Sequence, residues 1–122
     1  MTINQALALC SSALNDTVPE ETLLSWLWEI ESTVICEIAS THSGSETELS
    51  PITPGCDRDR VLFVPDPMSE LYVSHAVMKN CLRLGDMQKY LNCAAVFASA
   101  YSSFADSYNR SHMPAGEKSI SI

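Results

Sequence analysis

Gly85 and Asp86 most constrain what this chain can fold into, because they are the whole connection between two long stretches of helical periodicity. Upstream, Asp66 precedes Pro67, so the aspartate is placed to cap a helix whose first residue is a proline, where a missing N–H does no harm. Leu71, Ser74, His75, Met78, Cys81 and Leu82 then recur at three and four, and Gly85 stands where a left-handed C-terminal residue is wanted. The pattern predicts a helix over 67–84. Asp86 restarts the chain as an N-cap. Met87, Tyr90, Leu91, Ala94, Ala95, Ala98, Tyr101, Phe104, Ala105 and Tyr108 make an apolar stripe at helical spacing, predicting a second helix over 87–110. A two-residue link turns such helices back on each other as an antiparallel pair. A helical hairpin is therefore the predicted centre of the fold.

The preceding half supplies partners for it. Thr2 to Leu14 reads as a short helix with Thr2 or Asn4 near its cap and Ile3, Ala6, Leu7, Cys10, Ala13 and Leu14 on one side. Pro19-Glu20-Glu21 opens a helix over 19–40, with acids at the positive end of its dipole and a broad face of Leu23, Leu24, Leu27, Trp28, Ile30, Val34, Ile35 and Ile38. Trp26 falls off the main row, which makes it either half-covered or part of a contact surface. The stretch from Thr41 to Gly55 is rich in Ser, Thr, Gly and Pro, and reads as a long mobile loop; residues 41–60 form a candidate arm. Residues 60–64 alternate enough for one short strand, which must pair with the loop near Leu49 to Ile52 or with another copy of the protein. The fold class is thus all-α, a small helical bundle on a C-terminal hairpin with one short β element and a long loop. Residues 1–112 form a single domain, and 113–122, poor in apolar side chains, form an extended tail.

Composition narrows the function classes. No apolar run approaches the ~18 residues of a membrane span, and Met1-Thr-Ile-Asn does not begin a secretory leader, so the expected site of synthesis is the cytosol. The net charge of −8 is split: residues 1–59 carry ten acids against the single base Arg58, while 60–122 carry five acids against six bases. An acidic half of this kind is a poor match to phosphates and excludes a sequence-specific nucleic-acid reader. The acids either form a solvated face or meet another surface. The five cysteines are odd in number, widely spaced and without a C-x-x-C pair, so they read as small core residues rather than disulfides or metal ligands. No phosphate loop, H-E-x-x-H or G-x-S-x-G occurs. His75 and Cys81 are six apart, off the helical register a thiolate–imidazole pair needs. No catalytic residue, metal or cofactor is expected.

The run from Leu62 to Pro114 resembles small head-tail connector, or adaptor, proteins of tailed phages and prophages of Gram-positive bacteria. The resemblance is carried by Val64, Pro65, Pro67, Leu71 and Tyr72, by Gly85, Asp86 and Tyr90, and by Tyr108, Asn109, Arg110 and Pro114. Upstream, Thr2, Asn4, Gln5, Leu7, Leu9 and Trp26, Leu27, Glu29, Ile30, Glu31 look similar too. The long Ser/Thr/Pro loop and Met68, where an aromatic is usual, depart from the pattern. The resemblance implies a structural virion protein, not an enzyme. Such a protein would form a ring, expected to be dodecameric, between the portal protein and a stopper or tail-completion protein, with DNA passing through its centre. It would reside at the head-tail junction, and in host cytoplasm before assembly. Trp26, Arg58, Arg60, Arg110, Met113 and Pro114 are the candidate subunit or portal contacts, and Glu29 and Glu31 the candidate channel-facing acids. The competing class is a small helical regulatory protein that docks one partner.

Overall fold

The computed structural model describes residues 1–14, 17–38 and 49–111. Among these, four α-helices follow in order: α1 (Ile3–Ala13), α2 (Glu20–Glu37), α3 (Glu70–Leu84) and α4 (Met87–Ser111), with a short 3-10 turn at Asp66–Met68 ahead of α3. The fold is all-α, as the periodicity predicts. No described helix is long and apolar enough to cross a membrane.

The helix ends follow from local chemistry. Thr2 and Gln5 form a reciprocal capping box, the Thr2 N–H donating to Gln5 Oε1 at 2.9 Å and the Gln5 N–H to Thr2 Oγ1 at 3.2 Å. Asp86 caps α4 by accepting the Lys89 N–H at 3.1 Å. Gly85 takes a φ of +76°, so its N–H reaches the Leu82 carbonyl at 3.1 Å and the Asp86 N–H reaches Cys81 at 3.1 Å. That paired bond closes the last turn of α3 and reverses the chain. Asp66 departs from expectation. It lies in the 3-10 turn with no side-chain cap bond, and its carboxylate pairs with the Met1 amino group; α3 starts only at Glu70.

The predicted strand at 60–64 is reduced to a single bridge between Thr2 and Val61. Its partner is neither the loop nor a second chain but the N-terminal end of α1. The Ile3 and Asn4 N–H groups, which have no acceptor within their own helix, donate to the carbonyls of Arg60 and Arg58 at 3.1 Å each, and the Leu62 N–H donates to Met1 O at 2.8 Å. A helix start offers only these few groups before it winds away, so pairing cannot extend into a ladder. The end of the expected mobile arm is also fixed: Ile52 is buried in the core and Cys56 closes a turn onto Thr53. Residues 41–48 of that arm, and the 113–122 tail, lie outside the described residues.

The core gathers Ile3, Ala6 and Cys10 of α1, the apolar arc of α2, Leu62 and Val64 of the connecting segment, Leu71, Tyr72 and Ala76 of α3, and Phe104 and Tyr108 of α4. Phe63 stacks edge-on against Phe104 at 6.3 Å and tilts on Tyr108 at 5.7 Å, sealing the lower end of the hairpin. The α4 stripe is less buried than its periodicity suggests. Only Phe104 and Tyr108 are fully covered; Met87 and Leu91 stand in solvent. The reason is that α4 packs on one neighbour, α3, through most of its length, while α3 also receives α1 and α2.

Because nothing lies within 4 Å of a Cβ built on Gly85, replacement there costs only the left-handed backbone and no steric clash. Gly85→Ala is expected to lower unfolding free energy by about 1–2 kcal/mol in urea titration, with unchanged helicity.

Candidate functional site

The most unusual group in the molecule is the Glu31 carboxylate, 5% exposed inside the core. The sequence placed it outward, toward a channel; the structure takes it inward. It accepts the Phe63 N–H at Oε2, 2.8 Å away, and the Tyr72 hydroxyl at Oε1, 2.6 Å away. The Tyr72 oxygen in turn accepts the Val64 N–H at 3.0 Å. Segment 63–64 has no strand partner, and its buried N–H groups require acceptors. One carboxylate and one phenol supply them. Burial pushes the Glu31 carboxyl above its ordinary range, while the Tyr72 and Phe63 hydrogen bonds, with weaker attraction from Arg60, oppose that rise. Burial, with the adjacent carboxylate, pushes the Tyr72 phenol up, so it stays a donor. A readable signal existed: Glu31 stands four residues after Leu27 and three before Val34, on the apolar face itself.

Three other acids of α2, Glu20, Glu29 and Glu37, are also used within the chain. Glu20 pairs with Arg58, which additionally donates to the Pro54 carbonyl at 3.0 Å. Glu29 lies 3.3 Å from the Lys79 ammonium and 3.4 Å from His75 Nε2, across the α2–α3 boundary. Glu37 accepts the Tyr101 hydroxyl at 2.5 Å, tying α2 to α4. Burial drives the His75 imidazole below its usual value, although Glu29 pulls the other way, so the ring is neutral at pH 7. At Glu20, Glu29, Glu31 and Glu37 the acidic half is therefore not merely a solvated face, and at Glu31 it is not a channel wall. These carboxylates dock α2 onto the stem and the hairpin.

The candidate contact residues divide accordingly. Trp26 is buried, because α2 is covered over a wide arc and the row Leu23, Trp26, Ile30 lies within it. It is not a surface residue of the chain. Arg58 is committed to Glu20, and Arg60 is half-buried within electrostatic reach of Glu31. Arg110 is exposed on the last turn of α4. Met113 and Pro114 lie outside the described residues.

Several large apolar side chains also stand in solvent. Along α4, Met87, Leu91, Ala95 and Val96 are exposed, Leu91 by 66% and Val96 by 53%. Leu82 and Leu84, at the end of α3, are exposed too. A groove of about 450 Å³ runs between the 3-10 turn and α4, with Met68, Glu70, Val96, Ser99 and Ser103 among its walls. Val61, 69% exposed, stands on a separate segment next to the α1 start. Among the described residues no cluster of three His, Cys, Asp or Glu is placed to hold a metal ion. Compared with protein-family models, curated proteins and solved structures, the chain matches none.

Two measurements test the buried network. Tyr72→Phe strands the Val64 N–H and one Glu31 oxygen and is expected to cost about 2–3 kcal/mol. Glu31→Ala is expected to cost a similar amount, and the double variant less than the sum, since both remove one network. Additive losses in urea unfolding would contradict it. The pH dependence has a definite sign. A carboxyl raised on folding stabilises fully below its unfolded value, 4.5, and loses that contribution as pH rises through its folded value. The stability advantage of wild type over Glu31→Gln is thus expected to shrink as pH increases above 4.5.

Proposed function

We propose that this chain is a structural subunit of a head-tail connector, a ring between the portal vertex and the stopper or tail of a phage particle. The observation that carries this reading is the open apolar face of α4. The longest helix leaves Met87 and Leu91, one turn apart on one side, and Val96, on another, uncovered, so that large apolar side chains are open to a protein contact. A closed ring requires two different surfaces on each subunit, because its contacts are head-to-tail. The α4 face and the exposed Val61 edge lie on different segments and supply two such surfaces. The short motifs at Val64–Tyr72, Gly85–Tyr90 and Tyr108–Arg110 support the same reading.

The second reading is a small regulatory protein docking a single partner, favoured by the groove between the 3-10 turn and α4. Stoichiometry separates the two. A connector joins a multi-copy assembly with portal and is found in purified virions; a regulator forms a one-to-one complex and is missing from particles.

Leu91→Asp combined with Val96→Asp is the direct test. Both side chains are exposed, so the folding stability of the double variant is expected to stay within about 1 kcal/mol of wild type. The connector reading requires that this variant retain native circular dichroism yet be lost from particles, as measured by mass spectrometry of virion proteins. Normal incorporation would remove the α4 face from the interface.

A further inference from the structure

Cys81 of α3 and Cys93 of α4 face each other with their sulfurs 3.7 Å apart, and no disulfide joins any of the five cysteines. We propose that these two residues form an oxidant-responsive modification site, at which a peroxide converts the dithiol into a disulfide that fastens the helical hairpin.

The geometry differs from that of isolated core cysteines. Cys10 is buried, and its thiol points to the Tyr72 carbonyl at 3.8 Å, away from any other sulfur. Cys81 and Cys93 are the pair whose thiols touch across a helix–helix boundary, and the Gly85-Asp86 turn holds that boundary in register. Sulfurs already in contact at 3.7 Å have to close by less than about 2 Å to reach the disulfide bond length of about 2.05 Å. Their exposures are unequal. Cys81 is 4% exposed and Cys93 is half-buried, so an oxidant from solvent meets Cys93 first.

The chemistry then balances in two steps. The Cys93 thiolate attacks one oxygen of hydrogen peroxide, the O–O bond breaks, and the second oxygen leaves as water after taking a proton; Cys93 becomes a sulfenic acid. The Cys81 sulfur next attacks the Cys93 sulfur, the S–O bond breaks, and the hydroxyl leaves as a second water carrying the Cys81 proton. Peroxide is reduced and the two thiols are oxidised by two electrons. Burial and the neighbouring sulfur push the Cys81 thiol up, which disfavours it as the first nucleophile toward peroxide. A cleft of about 90 Å³ reaches Cys81 and is lined by Asn80, Asp86 and Lys89. It has room for the released water, which needs about 30 Å³, and the Lys89 ammonium favours the Cys81 thiolate as it forms.

The site is independent of the connector reading, since it needs only the hairpin. The test treats the intact protein with hydrogen peroxide, quenches it, and alkylates the remaining thiols before mass spectrometry without reductant. The chain is expected to lose two hydrogens and to retain three alkylatable thiols of five. Trypsin, cutting after Lys79, Arg83, Lys89 and Arg110, should release residues 80–83 and 90–110 as one disulfide-linked species that dithiothreitol separates. In Cys81→Ser, Cys93 should be trapped as a sulfenic acid by dimedone. A Cys36→Ser background removes an exposed thiol that could cross-link two chains. Oxidised protein that keeps five thiols, links other cysteines, or joins 80–83 to 90–110 only after denaturation would overturn the proposal.

Discussion

The Glu31 carboxylate is the interaction on which the central crossing of this fold depends. Residues 62–64 pass through the core between α2 and α3 as extended chain, and a core passage normally demands a neighbouring strand for its N–H groups. Here Glu31 and Tyr72, from two different helices, take that role, so one ionisable side chain holds the relative position of α2, α3 and the segment between them. A carboxylate is suited to this because it is acceptor-only, and one backbone N–H and one phenol, each on its own oxygen, satisfy it despite the desolvation that raises its pKa.

The same logic extends outward from that point. Glu29 and Glu37 repeat the crossing from α2 to α3 and α4, and Glu20 fixes Arg58 against the stem. These outer contacts are more exposed and each adds little alone. Their effect is directional: together they fix which way α2 faces, and with it which side of the hairpin is covered. The α1 start completes the frame by borrowing its missing acceptors from Arg58 and Arg60.

Covering one side leaves the other. With α1 and α2 both against α3, α4 packs mainly on α3, with a tie from Tyr101 to Glu37 of α2, and Met87, Leu91 and Val96 remain in water. Those side chains give a small helical domain apolar surface that another chain could bury. The paired thiols of Cys81 and Cys93 lie on the covered side of the same hairpin, where a covalent link would fix α3 to α4 without altering the open face.

The sequence by itself determined the elements whose cause is local. The Gly85-Asp86 turn, the Thr2 cap, the acidic opening of α2 and the long α4 all rest on residues within one or two helical turns of each other. What it could not decide was which way a side chain faces when several elements compete for it. Charge placed Glu31 outward, and its offset from the main row left Trp26 half-covered or on a contact surface, yet both are buried because α2 is covered over more of its circumference than one stripe. The strand at 60–64 failed for a related reason: its β-propensity was legible, but a strand needs a partner, and the partner turned out to be a helix start with only a few groups to offer. The contact of Cys81 with Cys93 likewise depends on how two helices are rotated about their axes. Periodicity sets where a helix runs; tertiary packing sets its rotation, because only the packed neighbours determine which buried donors and acceptors must be matched.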